Sequence, residues 1–124
     1  MDQFKPQPPQ GIQESREKLK LRLLLADDDP HVLNMLVARF TRLGFEVDAV
    51  ENGNILLERL SDTSKEYDIV WTDKNMPGLT GLEVAEWVRK NIERYKNLPI
   101  VLSSGEGTNQ AAIDRVLSET LGIV

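Results

Sequence analysis

The sequence contains no cysteine and a single histidine, and these absences exclude several kinds of site. Without cysteine the chain forms neither disulfides nor thiolate metal sites, and one histidine is too few for an ordinary zinc site. No apolar run reaches the length of a membrane span, and the N-terminus is polar where a signal peptide would be apolar. These features predict a cytoplasmic chain that does not enter a membrane.

The sequence also lacks an excess of positive charge. Lysine and arginine together number 15 against 20 aspartates and glutamates, which gives a net charge of -5. Phosphate backbones are bound by basic faces, so we expect no direct contact with nucleic acid. With 124 residues, of which 40% are hydrophobic, the chain is long and apolar enough to form one globular domain.

The first twenty residues differ in composition from the rest of the chain. Three of the six prolines (Pro6, Pro8 and Pro9) lie in the first ten residues, among glutamine and aspartate. Such a composition is typical of a solvated tail or an interdomain linker. We therefore expect a flexible tail or linker at 1–20 and a folded domain at 21–124.

From residue 21 onward, strand-like and helix-like segments alternate. Strands are predicted for "LRLLLA", "FEVDAV", "YDIVWT" and "LPIVLS", and each is followed by apolar residues at helical spacing. The third helix carries Val84, Ala85, Val88, Ile92 and Tyr95 on one face. The first, third and fourth strands are apolar throughout, which favours a doubly wound parallel sheet covered on both faces, with the second strand at an edge. The predicted last helix carries Ile113, Val116, Leu117 and Leu121.

Oxygen-bearing side chains follow three of these strands. Asp27 and Asp28 follow the first strand, Asp73 and Asn75 the third, and Ser104 the fourth. The carboxyl ends of parallel strands lie at one edge, where ligands bind in such sheets. Carboxylate oxygens suit a hard cation such as Mg²⁺, and a metal beside an aspartate suits phosphoryl transfer with that aspartate as the nucleophile.

Three segments together identify a family. "LLADDDP", "YDIVWTDKNMPGLTGLEV" and "LPIVLSSGEG" closely resemble the receiver domains of two-component response regulators, which have the CheY-like fold. The resemblance covers roughly residues 21–124 and implies the strand order 2-1-3-4-5. It further implies a phosphorelay function, with a histidine kinase or a phosphotransfer protein as the donor and an unknown output domain or partner. The chain would not be an enzyme beyond its own phosphorylation and dephosphorylation.

The resemblance also assigns roles to individual residues. Asp73 would be the phosphoacceptor, and Asp28, Asp73 and the backbone carbonyl of Asn75 would bind Mg²⁺. Asp27 would complete the acidic pocket and act on the metal through a water molecule. Ser104 would be the switch hydroxyl that turns toward the phosphoryl group.

One part of the family pattern has no counterpart in the sequence. Receivers carry a lysine at the end of a fifth strand, and that position would fall at or beyond Val124, with Ile123 in place of a frequent aromatic residue. We therefore expect the fifth strand, and the last helix of the receiver fold that would follow it, to be truncated or missing. An uncovered fourth strand would be an exposed edge, which predicts a possible homodimer through strand four and the last helix.

Two alternative functions are compatible with the sequence. A receiver-like interaction module that is never phosphorylated is favoured by the absent lysine and opposed by the acids, Asn75 and Ser104. A haloacid-dehalogenase-like phosphatase is suggested by the Asp27-x-Asp29 pair, but His31 stands where such sites have threonine or valine. Asp29, followed by Pro30, is also explained as a helix N-cap.

Overall fold

A computed structural model describes residues 20–103, 114, 115 and 118 of the chain. Strands and helices alternate along residues 20–103. They are β1 (Arg22–Ala26), α1 (Pro30–Arg42), β2 (Glu46–Val50), α2 (Gly53–Ser61), β3 (Ile69–Asp73), α3 (Gly81–Asn91) and β4 (Ile100–Ser103), with a 3-10 turn at Glu93–Tyr95 before β4. Residues 114, 115 and 118 are helical, whereas the predicted apolar face of that last helix, Ile113, Val116, Leu117 and Leu121, lies outside the described residues.

The four strands form one parallel sheet in the order β2-β1-β3-β4. This confirms the predicted doubly wound topology and the edge position of β2. Ala26 is paired with Val50 and with Thr72, and Asp73 with Ser103, so all four strands end at the same edge of the sheet. The expectation that the fifth strand is truncated or missing concerns the residues around Ile123 and Val124, which lie outside the described residues.

Two apolar layers hold the helices on the sheet. Successive strand residues point to opposite faces, and each face is buried under different helices. One layer joins α2 and α3 to the sheet and contains Leu24, Ala26, Val50, Leu56, Leu60, Tyr67, Val70, Met76, Val84, Val88, Tyr95 and Leu98. The other joins α1 to the sheet and contains Leu23, Leu25, Leu36, Phe40, Phe45, Ile69 and Trp71. Each large side chain buried in this way stabilises the fold by about 1.5–3 kcal/mol, so the sheet is a rigid support for the residues at its edge.

Local signals set the ends of the helices. The carboxylate of Asp29 accepts hydrogen bonds from the amides of His31 and Val32, which confirms its role as the N-cap of α1. Gly44 follows the end of that helix with φ of 102°, a conformation that favours glycine. Thr80 and Glu83 form a reciprocal capping box at the start of α3.

The third helix is shorter than the apolar face predicted for it, which extended to Tyr95. The helix ends at Asn91, Ile92 is extended, and Tyr95 lies in the 3-10 turn. Tyr95 is nevertheless buried, because its hydroxyl accepts a 2.9 Å hydrogen bond from the amide of Tyr67 in front of β3. Among the described residues no helix is long and apolar enough to cross a membrane.

Candidate functional site

Three carboxylates meet at the carboxyl edge of the sheet. Asp27 and Asp28 follow β1, and Asp73 ends β3, the neighbouring strand. One oxygen from each lies within 4.8 Å of the others. Asp27 is buried, Asp73 is half-buried and Asp28 is exposed, so the cluster opens from the end of the sheet toward solvent.

Asp27 shows the electrostatic strain of this arrangement. Burial raises the pKa of its carboxyl group, and the neighbouring carboxylates of Asp73, Asp28 and Asp29 raise it further, against one hydrogen bond from the amide of Asp29 (2.9 Å) that lowers it. In the part of the chain that the structure describes, no lysine or arginine forms an ion pair with Asp27, Asp28 or Asp73. The cluster therefore gathers negative charge that a bound cation would neutralise.

The donor set fits Mg²⁺. All three side chains offer carboxylate oxygens, and that of Asp28 is exposed to solvent. Mg²⁺ is commonly held by one or two carboxylates and keeps several water ligands. The chemistry of these donors thus fits a hard divalent cation such as Mg²⁺.

The main chain around Asp73 is held from several sides. The amide of Lys74 donates a 2.8 Å hydrogen bond to the carbonyl of Ser103 at the end of β4, and the amide of Gly81 donates to the carbonyl of Lys74 (3.1 Å). The amide of Asn75 donates to Oδ1 of Asp73 (3.3 Å). These bonds fix where the carboxylate stands, which matters because catalysis of phosphoryl transfer is largely positioning.

Two residues near Asp73 that the sequence analysis did not single out also support it. Thr72 is fully buried, and its hydroxyl donates a 3.0 Å hydrogen bond to the carbonyl of Asp73. Gly81 is so close to that carbonyl that a Cβ atom at this position would lie 2.5 Å away. A glycine at the start of a helix, eight residues after Asp73, was the available signal, but the close approach itself is a tertiary contact.

Three further residues that the sequence analysis discussed for this site are Asn75, Ser104 and Asp29. The backbone of Asn75 lies beside Asp73, and its carbonyl as a metal ligand stays a prediction. Ser104 lies outside the described residues. Asp29 is engaged as the cap of α1 through its carboxylate, so it is not free to serve as the second acid of a dehalogenase-like pair with Asp27.

Comparison with known proteins finds a family and relatives that this sequence resembles. The profile of the response regulator receiver domain matches residues 23–123. The chain is 35% identical over 101 residues to the transcriptional regulatory protein CpxR homolog of Haemophilus influenzae, an alignment that covers 82% of this chain and 40% of that protein. It is 33% identical over 88 residues to the chemotaxis protein CheY1 of Helicobacter pylori, covering 70% of this chain and 69% of that one.

Solved structures give the same result. The response regulator TrrA of Thermotoga maritima, in complex with Mg²⁺ and BeF, superposes with a TM-score of 0.63 at 28% identity, covering 82% of this chain and 99% of that one. TrrA in complex with the histidine kinase ThkA superposes with a TM-score of 0.68. The chain spans less than half the length of several of its curated relatives, among them the CpxR homolog.

Proposed function

Because the chain belongs to the family of response regulator receiver domains, we propose that it accepts a phosphoryl group on Asp73 and passes a signal on by changing conformation. It is a receiver domain of two-component signalling by its family, its fold and its acidic pocket. The observation that carries the assignment of the acceptor is the position of Asp73. It is the half-buried carboxylate at the end of β3, with its main chain held by β4 and α3.

The proposed reaction is a single displacement at phosphorus. A carboxylate oxygen of Asp73 attacks the phosphorus atom of a phosphohistidine; an O–P bond forms and the N–P bond breaks. The imidazole nitrogen leaves with the electron pair of that bond and takes up a proton. The product is an acyl phosphate on Asp73, which water later hydrolyses to regenerate the carboxylate and release inorganic phosphate.

We propose that Mg²⁺ is the cofactor. Asp28, Asp73 and the carbonyl of Asn75 would hold it directly, and Asp27 would hold it through a water molecule. When bound, the ion neutralises negative charge on the transferred phosphoryl group. The clustering of three carboxylates within 4.8 Å and the raised pKa of Asp27 support this assignment, and TrrA, a relative in fold and sequence, has been solved with Mg²⁺ and BeF.

The conformational part of the proposal concerns Ser104, which follows β4. Its hydroxyl would donate a hydrogen bond to the phosphoryl oxygens and so favour one of two pre-existing arrangements of the chain. The main-chain bond from Lys74 to Ser103 supports this, because it ties the residue before Ser104 to the residue after the acceptor.

The proposed donor is a histidine kinase or a phosphotransfer protein in the cytoplasm. The complex of TrrA with the histidine kinase ThkA supports a donor of this class. The reader of the signal would be an output domain or a partner protein; two relatives whose names describe transcriptional regulators extend well beyond the segment that this chain matches. We propose no metabolic enzymatic activity, and hydrolysis of a generic phosphomonoester with Mg²⁺ should be undetectable.

The proposal is tested with a small phosphodonor. Acetyl phosphate and Mg²⁺ should add one phosphoryl group to the intact chain, as read by mass under mild conditions, and Asp73→Asn should abolish the addition. Glu51→Gln is the matched control, since Glu51 is an exposed carboxylate just after β2, at the same edge of the sheet. Full phosphorylation of Asp73→Asn would contradict the assignment, and no phosphorylation of the parent chain would favour the non-phosphorylated interaction module.

A further inference from the structure

The start of α2 touches the loop that follows Asp73. Asn54, the second residue of α2, accepts a 3.1 Å hydrogen bond at Oδ1 from the amide of Leu79, 25 residues later. Leu79 lies in the segment 74–80, which we call the acceptor loop because it joins Asp73 at the end of β3 to α3. A residue of α2 is thereby attached to the loop that shapes the phosphorylation site.

The backbones of the two segments are also in close contact. A Cβ atom at Gly53 would lie 1.9 Å from the carbonyl oxygen of Leu79, so only glycine fits there. Gly78 has φ of 78°, and a Cβ atom at this position would lie 2.6 Å from Oδ1 of Asn54. The side chain of Asn54 therefore lies directly against the bend of the acceptor loop.

The two ends of the acceptor loop are held by different parts of the fold. Its first residue, Lys74, is fixed by main-chain bonds to Ser103 and Gly81. Near its far end, the amide of Leu79 is held by Asn54. Asn75, the neighbour of Asp73 and the proposed source of a metal-binding carbonyl, lies between these two points of attachment.

Asn54 has no evident part in capping its own helix. That role belongs to Asn52, whose Oδ1 accepts a 2.8 Å hydrogen bond from the amide of Ile55. The oxygen of Asn54 instead bonds a residue outside the helix. The two asparagines are thus two residues apart in sequence and perform separable tasks, one for the helix and one for the loop.

From this arrangement we infer that Asn54 is a positioning residue for phosphorylation, an inference that rests on the function proposed above. Its hydrogen bond holds the acceptor loop in the observed conformation, in which Asn75 and Asp73 would hold the metal and Asp73 would meet the phosphoryl donor. β2 and α2 contribute no ligand to the acidic cluster, and Asn54 gives them an indirect part in the chemistry. Loss of the bond should lower the rate of phosphorylation and the affinity for Mg²⁺ together.

Three variants of the full chain test this inference. Asn54→Ala removes the acceptor oxygen, Asn54→Asp keeps an oxygen at the same position, and Asn52→Ala removes the helix cap without touching the loop. We expect Asn54→Ala to be phosphorylated by acetyl phosphate about threefold to tenfold more slowly, which is the effect of losing one modest hydrogen bond. Asn54→Asp should recover most of the rate. Asn52→Ala should lower the melting temperature but leave the rate of the folded protein unchanged.

The apparent Mg²⁺ affinity supplies a second readout, followed through the tryptophan fluorescence of the chain, which comes from Trp71, two residues before Asp73, and from Trp87. Asn54→Ala should weaken it and Asn52→Ala should not. Equal rates and equal Mg²⁺ affinities for Asn54→Ala and the parent chain would overturn the inference, as would a slowing of Asn52→Ala equal to that of Asn54→Ala. A parent chain that accepts no phosphoryl group would overturn the proposed function instead, and the Mg²⁺ titration would then decide the role of Asn54.

Discussion

Gly81 faces the main-chain oxygen of Asp73 so closely that a Cβ atom at Gly81 would lie 2.5 Å from it. The first turn of α3 is therefore packed directly against the residue that we propose as the phosphoacceptor. A methyl group at this point would push Asp73 or α3 away from its present place, because the nearby atoms belong to the backbone and to the side chains of Thr72 and Leu102.

We predict that Gly81→Ala reduces both stability and phosphorylation. Forcing a methyl group into a packed site costs about 1–3 kcal/mol, and the displaced Asp73 should react more slowly with acetyl phosphate. Gly44→Ala is the control, because Gly44 has positive φ but nothing within 4 Å of a Cβ atom. That variant should lose stability through backbone strain alone and keep the parent rate once folded. A Gly81→Ala chain with the rate and melting temperature of the parent would show that the contact is not restrictive.

We predict that Mg²⁺ raises the melting temperature of the chain. A ligand that binds only the native state stabilises it by about 1.4 kcal/mol at ten times its dissociation constant. Asp28→Asn should reduce this effect, although the metal-free variant should be no less stable than the parent, since one of three clustered negative charges is removed. The measurement is thermal unfolding with and without millimolar MgCl₂, with KCl at matched ionic strength as the control. A melting temperature that MgCl₂ and KCl affect equally would count against the metal site.

The hydrogen bond from Tyr67, just before β3, to Asp48, in the middle of β2, predicts that the stability of the fold depends on pH. Burial would raise the pKa of Asp48, but the hydrogen bond from the Tyr67 hydroxyl (2.5 Å) and the Lys65 ammonium group (3.2 Å) outweigh it, so the pKa is lowered from 3.8. Folding therefore favours the ionised form. The stabilisation is present above about pH 4 and is lost as the pH falls through the lowered pKa.

Tyr67→Phe measures this contribution. The variant should lose about 1 kcal/mol at pH 7, reduced from the usual value of a charge-assisted bond because Asp48 is partly exposed. The difference from the parent should shrink below pH 4 in urea unfolding. Above pH 10 it should shrink as well, because burial and the neighbouring Asp48 carboxylate raise the pKa of Tyr67 in the folded chain, and that stabilisation is lost as the pH rises. Tyr95→Phe removes an uncharged hydrogen bond, and its effect between pH 3 and 7 should be constant.

The position of β4 at the edge of the sheet formed by the described residues predicts self-association. Among the described residues β4 is paired only with β3, and its four residues are half-buried. Edges of this kind pair with other strands unless they are protected. We expect the apparent mass of the 124-residue chain in light scattering to rise toward that of a dimer as the concentration increases. A constant monomer mass over the whole series would show that this edge is covered.

Much of the fold follows from local pattern. The apolar runs of β1 and β3 and the carboxylates directly after them were enough to predict parallel strands whose ends bring Asp27, Asp28 and Asp73 together. That inference succeeds because parallel strands of one sheet share a carboxyl edge. The N-cap of α1 was equally visible, since Asp29 precedes Pro30.

Contacts between distant segments could not be predicted in this way. The prediction that the apolar face of the third helix reaches Tyr95 was wrong. Tyr95 lies in a separate turn, where its hydroxyl is bonded to the amide of Tyr67, and the periodicity of a helix gives no sign of a partner 28 residues away. The bond between Asn54 and Leu79 and the close approach of Gly81 to Asp73 are of the same kind. Ser104 and the predicted tail at 1–20, apart from Lys20, lie outside the described residues and stay predictions.

The central claim is that Asp73 carries the phosphoryl group, and chemical trapping of the acyl phosphate tests it most directly. The chain is treated with acetyl phosphate and Mg²⁺ and then with sodium borohydride, which reduces an acyl phosphate to an alcohol and converts the acceptor aspartate to homoserine. Peptide mass spectrometry then locates the homoserine. We predict homoserine at position 73, and only when both acetyl phosphate and Mg²⁺ were present. Homoserine at position 27 or 28 would contradict the account. So would a chain that has gained a phosphoryl group but contains no homoserine at any aspartate position.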